Sequence, residues 1–284
     1  MSDWIASNEA GIRLGAFLGA LALMSVWEML APLRQLQFGK GYRWLNNLGL
    51  VVINTLVLRA LFPAAAVGVA AFAAANGWGV LNYLAWPGWL TFVVAVVVLD
   101  MAIYLQHVMV HAIPVLWRLH RVHHADPDFD VTTGLRFHPF EIIISMLIKF
   151  AVIIMLGPPV VAVVVFEVLL NGMAMFNHAN IALPKGVDTV LRWLIVTPDM
   201  HRVHHSVKDD ETNSNFGFNL SLWDRVFGTY REQPRGGQLG MTIGIDGFNK
   251  PGEVVSLAGL MWLPFRRKIG NYAINRRTWE KNRE

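Results

Sequence analysis

The chain has no cysteine among its 284 residues. Disulfides, thiolate metal sites and iron–sulfur clusters are thereby excluded. Charge is also scarce: charged residues make up 15% of the chain, against about 25% in soluble domains. Hydrophobic residues reach 54%, and the mean hydropathy is +0.41. Together these point to a membrane protein. The opening residues, MSDWIASNEAGIR, carry Asp3 and Glu9 where a secretory leader is basic, so no cleaved leader is expected.

What is present is a series of apolar runs. A spanning helix needs about 20 mostly apolar residues. Candidates lie at roughly 11–32, with Glu28 near its end, at 48–75, with Arg59 and Pro63 inside, and at 88–110. Pro63 predicts a kink or tilt. A polar stretch follows at 117–139, then a fourth apolar region at 140–176. Gly157-Pro158-Pro159 splits that region into arms too short to cross comfortably, which predicts a helical hairpin returning to the side it left. The expected fold is all-α: an integral membrane stalk of three spans plus the hairpin, about four in all, under a helical cap. The expected divisions are 1–110 (transmembrane helices), 111–139 (histidine segment), 140–176 (hairpin) and 177–284 (cap with a basic, amphipathic C-terminal tail), in one integrated domain.

Basic residues orient this arrangement. The link at 34–47 carries Arg34, Lys40 and Arg43, whereas the link at 76–87 carries no Lys or Arg. Basic loops stay cytoplasmic, so the N-terminus is expected outside and the histidines and C-terminus inside. Residues 256–268, SLAGLMWLPFRRK, suit the headgroup layer.

All ten histidines fall between 107 and 205. His107 and His111 form HVMVH, and the word HRVHH occurs twice, at 120–124 and 201–205. On a helix, positions i, i+3 and i+4 share a face, so the three imidazoles of each copy are expected to point one way. A lone histidine such as His138 is ordinarily a satisfied polar residue. A repeated triad plus a pair is a metal-ligand pattern, because clustered imidazoles repel once protonated and a shared cation binds the neutral form. The number exceeds what one four- to six-coordinate ion uses, so two metals are expected. Imidazole suits zinc, copper, iron and nickel alike. A zinc hydrolase would carry the glutamate of H-E-x-x-H, which neither word has. A histidine-relay metal or proton transporter would scatter ionisable groups through the spans near the midplane, whereas these gather at one face.

Asp100, Tyr104, His107 and His111 form a stripe on the third span. Asp100 is read either as a carboxylate orienting a histidine of the cluster or as the partner of Arg59. Asp126, Asp130, Asp199 and Asp224 are further carboxylate candidates, against which stand helix capping and loop solvation. Asn213 and Asn215 are candidates to satisfy backbone or imidazole groups. Trp223, Phe227 and Tyr230 are expected to pack the cap. Arg118, Arg121 and Arg202 are expected in solvent, or facing lipid phosphates or an acidic electron donor.

The words DMAIYLQHVMVH, LWRLHRVHHADPDFDVTTGLRFHPFE, FNHANIALP and TPDMHRVHHSVKDDETNSNFGFNLSLWDRVFGTY resemble the membrane fatty acid hydroxylase/sterol desaturase superfamily, in its bacterial sterol-desaturase-like branch. The resemblance runs from about 95 to 231 and is specific for the superfamily more than for a substrate. It implies a cytoplasmic cap holding two iron ions, with zinc entering the same sites in overexpressed protein. It implies O2-dependent hydroxylation or desaturation of a fatty acyl or sterol-like lipid drawn from the bilayer, and a bacterial inner-membrane location. With no flavin, nucleotide or fused cytochrome motif in the chain, electrons are expected from a separate ferredoxin- or cytochrome-like protein. No nucleic acid is expected. By position, His107 and His111 match the first box, His120, His123 and His124 the second, and His201, His204 and His205 the last. His178 matches the isolated histidine between boxes, and His138 is either a ligand or a support. Catalytic residues beyond the ligands are not implied. Asp100, Tyr104, Asp199 and Asp224 are expected behind them. Many members carry Arg after the first histidine of box one; here Val108 stands there, which weakens any transfer of substrate.

Overall fold

In the computed structural model, described for residues 2–248, 250–266, 272 and 274, every regular element is helical. Among the described residues only four isolated bridges replace strands. Lipid offers no hydrogen-bond partner to a free peptide group, so an apolar run satisfies its backbone internally as a helix. Five stretches are long and apolar enough to cross a membrane: Glu9–Leu30, Lys40–Tyr83, Gly88–Ala112, Pro139–Leu156 and Val160–Asn177.

After a short α1 (Ser2–Ser7), α2 (Glu9–Leu30) leads into a link, then α3 (Lys40–Leu61). The kink expected at Pro63 is a full break: α3 stops at Leu61 and α4 (Ala65–Ala75) restarts after it, because proline lacks a donor and disfavours helix at the residue before it. A turn, α5 (Val80–Tyr83), precedes α6 (Gly88–Ala112). Pro114 opens α7 (Pro114–His124), so the chain turns at Ile113 as it leaves the span. The polar segment ends in a 3-10 turn at Thr133–Leu135, and the hairpin is α8 (Pro139–Leu156) and α9 (Val160–Asn177). Short helices α10 (Lys185–Leu191), α11 (Pro198–His204), α12 (Asp209–Thr212) and α13 (Leu222–Val226) build the cap.

Small, branched and aromatic residues fill the membrane core: Ala66, Ala70, Leu99, Val163 and Phe166 bury against one another. Large apolar side chains such as Leu14, Leu56, Val93 and Met155 point outward, as a lipid-facing surface requires. Trp78, Trp86 and Trp89 are exposed at the end away from the histidines, where an aromatic belt belongs. There the hairpin turn meets the loop after α4. Gly157 adopts φ 67° to close α8, and a Cβ on Gly79 (φ 96°) would lie 2.1 Å from the Gly157 nitrogen. Only glycine fits that crossing.

At the opposite end, the link after α2 is sewn to the cap. Glu28, a blemish in hydropathy, accepts hydrogen bonds from Val131 N (2.6 Å) and Asn180 N (2.8 Å). Arg34 donates to the carbonyls of Gln238, Leu239 and Met241. Arg43, expected in an open basic loop, lies inside α3 and is fully buried. Its guanidinium holds Asp126 through two bonds (3.1 and 2.7 Å) and Asp130 through one (2.6 Å). Trp117 anchors the cap core with Val122, Val254, Leu260 and Leu263. Within the 256–268 segment, Leu260 and Leu263 face inward while Trp262 and Phe265 are exposed. The basic tail beyond Arg266 lies outside the described residues except at positions 272 and 274.

Candidate metal centre

Nine of the ten histidines converge into two fully buried groups. His107, His111, His120, His124 and His204 form one; His123, His178, His201 and His205 form the other. Within each group the ligand nitrogens all lie within 4.8 Å of one another. The expectation that each HRVHH copy points one way is corrected. At about 100° per residue, positions i and i+4 stay together while i+3 turns away. His120 and His124 therefore enter the first group and His123 the second. In the later copy His201 and His205 enter the second group and His204 the first. The two words cross over, each contributing two rings to one group and one to the other.

Their tautomers follow from their partners. A carbonyl oxygen only accepts, so the ring nitrogen facing it carries the hydrogen. His107 Nδ1 donates to Phe216 O (2.8 Å), His123 Nδ1 to Thr133 O (3.0 Å), His178 Nδ1 to Ala174 O (2.7 Å) and His204 Nδ1 to Ser214 O (2.8 Å). Asn213 spends its amide on two carbonyls, Asp209 and Tyr272, so its oxygen accepts from His111 Nδ1 (3.2 Å). Glu141 accepts from His120 Nδ1 (2.6 Å). The Nε2 of each of these rings is then a lone pair directed inward. Nε2 of His178 lies 3.1 Å from Nε2 of His123 and 3.0 Å from that of His201; Nε2 of His111 lies 3.2 Å from that of His124. The inward nitrogens of His107, His120 and His204 have no hydrogen-bond partner. Converging lone pairs of this kind fit a cation in each group, and the outer Nδ1–H bonds are the support that metal-bound imidazole normally has. Burial, reinforced by neighbouring imidazoles, holds His123, His124, His201 and His205 well below the usual histidine range and pushes His178 and His204 down to about 3. The rings are therefore neutral, as metal ligands are.

The remaining expected residues sort clearly. His138 is not brought to either group: its Nδ1 accepts from Phe140 N (3.2 Å), capping α8. Asp100 touches no histidine and does not pair with Arg59. It accepts from the Trp223 indole (2.8 Å) and Leu220 N (3.3 Å), because the Trp223 side chain reaches down onto the span. Asp224 acts through backbone: it accepts from Phe216 N (2.7 Å), Gly217 N (2.8 Å) and the Thr229 hydroxyl (2.7 Å), fixing the loop whose carbonyl receives His107. Burial pushes its carboxyl up to about 6. Tyr104 joins that network through Thr229 Oγ1 (2.8 Å). Asp199 pairs with Arg202 (2.6 Å) instead of a histidine.

The Arg-Val inside each HRVHH acquires a role. Val122 and Val203 are wholly buried. Arg121 and Arg202, expected in solvent, are also buried. Arg121 donates to the carbonyls of Leu263 and Arg266, while Arg202 pairs with Asp199 and lies over the Phe129 ring. On helices whose other face carries the histidines, the two arginines fasten the cap from behind. Glu141, in the FHPFE word, is the carboxylate that meets a histidine of these groups, a contact not foreseen in the sequence because His120 lies 21 positions away.

A cavity of about 280 Å³ opens beside the histidines. His107, His120 and His123 form its upper wall, and Ile103, Met146 and Leu170 carry it down between the spans. Its far end holds an ion chain: Glu167 pairs with Lys149 (2.9 Å) and with Arg13 (3.2 Å), which also pairs with Glu9 (3.0 Å).

The family model for fatty acid hydroxylase matches residues 92–229. Ornithine lipid hydroxylase OlsE of Rhizobium tropici is 30% identical over 64% of this chain and 53% of its own length. Alkylglycerol monooxygenase of Xenopus tropicalis is 29% identical over 63% of this chain and 38% of its own length. The human alkylglycerol monooxygenase is 28% identical over 58% and 36%. The matched region thus spans about half or less of each of these relatives. No solved structure matches the chain. The segment that carries all of this chain's histidines is thus similar to the fatty acid hydroxylase family and to lipid hydroxylases and monooxygenases.

Proposed function

We propose that the chain is a membrane oxygenase that hydroxylates an unactivated C–H bond of a lipid, using two iron ions held by the nine converging histidines. The observation that carries this is the pairing of two buried groups of inward lone pairs with a cavity that begins at three of those histidines and runs between the spans. Two bound irons would supply the activation of O2, with electrons from a separate ferredoxin- or cytochrome-like protein. The chain's own part is to hold, orient and exclude water. Six rings are fixed from outside by Nδ1–H bonds. Phe137 stacks on His123 with ring centroids 4.6 Å apart, and Phe216 packs edge-on against His107 at 5.6 Å. The lipid enters from the bilayer, and the spans fix one carbon before the histidines.

Hydroxylation is favoured over desaturation because the relatives are named as hydroxylase and monooxygenase. The location is read as a bacterial inner membrane, with the N-terminus outside and the histidines on the cytoplasmic side, from the basic residues at 34–47. The test compares lipid extracts of cells with and without the gene by mass spectrometry. A gain of one oxygen supports hydroxylation, and a loss of two hydrogens would move the reading to desaturation. Turnover that needs no O2, in protein carrying stoichiometric zinc from its native source, would replace it with a hydrolase.

A further inference from the structure

The cavity has an asymmetry that its histidines do not use. Three hydrogen-bonding groups near its metal end each leave one buried oxygen without a partner. Asn54 donates its amide to Phe137 O (3.0 Å). A carbonyl can only accept, so Asn54 Oδ1 is fixed as the free atom. Glu141 gives Oε1 to His120 (2.6 Å) and keeps Oε2 free. Gln106 bonds Ser145 Oγ (3.0 Å) and keeps Oε1 free. Asn54 and Glu141 are 8% and 6% exposed, and all three residues line the cavity. Three donors on the same walls are turned to protein acceptors: Lys149 to Glu167, Thr55 to Val51 O, Asn171 to Glu167 O.

An acceptor shut away from water in a membrane span is costly unless something donates to it. The three lie close to the reacting end. Gln106 precedes His107 in the chain, Glu141 is bonded to His120, and Asn54 holds the carbonyl of Phe137, whose ring stacks on His123. We infer that this end of the cavity seats a hydrogen-bond-donating group of the lipid, a hydroxyl or an ammonium, on Asn54, Glu141 and Gln106; the inference rests on the oxygenase reading for what happens next. The carbon offered to the histidines is then one near that polar group and not a mid-chain methylene. A plain alkyl segment would leave all three oxygens unpaired.

The test uses the full chain in lipid nanodiscs, titrated calorimetrically with dodecanol, dodecylammonium and dodecyl methyl ether, with empty discs subtracted. The ether matches the alcohol in apolar length but cannot donate. One good hydrogen bond corresponds to about a tenfold difference in affinity, so the alcohol or the ammonium is expected to bind at least that much more tightly than the ether. Preference for the alcohol identifies a neutral hydroxyl; preference for the ammonium identifies a cation drawn by Glu141. Asn54→Leu and Gln106→Met should each bring the ratio toward one. Ether binding as tight as that of both donors would overturn the inference, as would an undiminished preference in both variants. The comparison on the unaltered chain needs no variant to fold. Absence of any lipid mass shift would sink the oxygenase reading and leave this ratio standing, while equal binding alongside a mass shift would sink this inference alone.

Discussion

Nε2 of His178 stands 3.1 Å from Nε2 of His123, and neither nitrogen carries a hydrogen. Both rings have already given their Nδ1–H to backbone carbonyls, at Ala174 and Thr133. Two lone pairs at that separation repel, and a cation between them would turn that repulsion into binding. His204 holds the matching place in the other group. Purified chain is expected to carry two metal ions, measured by elemental analysis against protein concentration. His123→Ala and His204→Ala should each lower that count and abolish lipid oxidation. His138→Ala should keep both ions and cost only about 1 kcal/mol as a lost helix cap. A full metal complement in either of the first two variants would break the grouping.

Gly134 is a sharper probe of the second group. A Cβ there would lie 2.4 Å from Ala174 O and 3.0 Å from His178 Nδ1. Those atoms form the bond that orients His178, and the neighbouring Thr133 carbonyl orients His123. Gly134→Ala should therefore shed metal without replacing a ligand. Unchanged metal content and activity would show that this close approach is not needed.

Acid should destabilise the metal-free chain. The folded-state values of His178 and His204, about 3, lie far below the ordinary value of 6.5. For such groups the unfolded chain binds protons first, so their stabilisation is complete above the ordinary value and is lost as pH falls toward the folded one. Asp224 works the other way: raised to about 6, its contribution is present below the ordinary carboxylate range and is lost as pH rises through 6. Six shifted histidines in the cap outweigh one carboxylate. The thermal midpoint of the chelated protein should fall between pH 7 and pH 5; a flat profile would mean the rings are not buried neutral.

Arg43→Met would strand Asp130 without its buried cation and leave Asp126 with Arg136 alone, at 3.5 Å. Breaking one side of a buried pair costs about 3–5 kcal/mol, seen as a drop in denaturation midpoint. The same network bonds Thr133 through Asp126 (3.0 Å), so metal loss should accompany it. A loss of stability with metal retained would confine Arg43 to holding α3 against the cap.

The apolar helices and the nine histidines that meet were legible because each depends on local hydropathy or spacing, whereas His138 joins neither group and the two arms after Pro139 are each long enough to cross. Arg121 and Arg202 were misjudged because charge usually seeks water, and their partners (the carbonyls of Leu263 and Arg266, Asp199) are set by the fold. The crossing of the two HRVHH words was readable in principle from helical pitch, but only with both metal positions in view. Asp100 was misassigned because its partner, Trp223, comes from a distant part of the chain.

The contact of Gly79 with Gly157 has a consequence at the other end of the hairpin. With that turn pinned below and His178 pinned above, α9 cannot slide along its axis. The drop from His178 to Glu167 along that helix is then a fixed length, roughly 16 Å at 1.5 Å per residue. The membrane half of the protein thus holds a cavity of set length between the histidines and the ion chain of Glu167, Lys149 and Arg13, and in the oxygenase proposed above that length would be what a lipid is measured against.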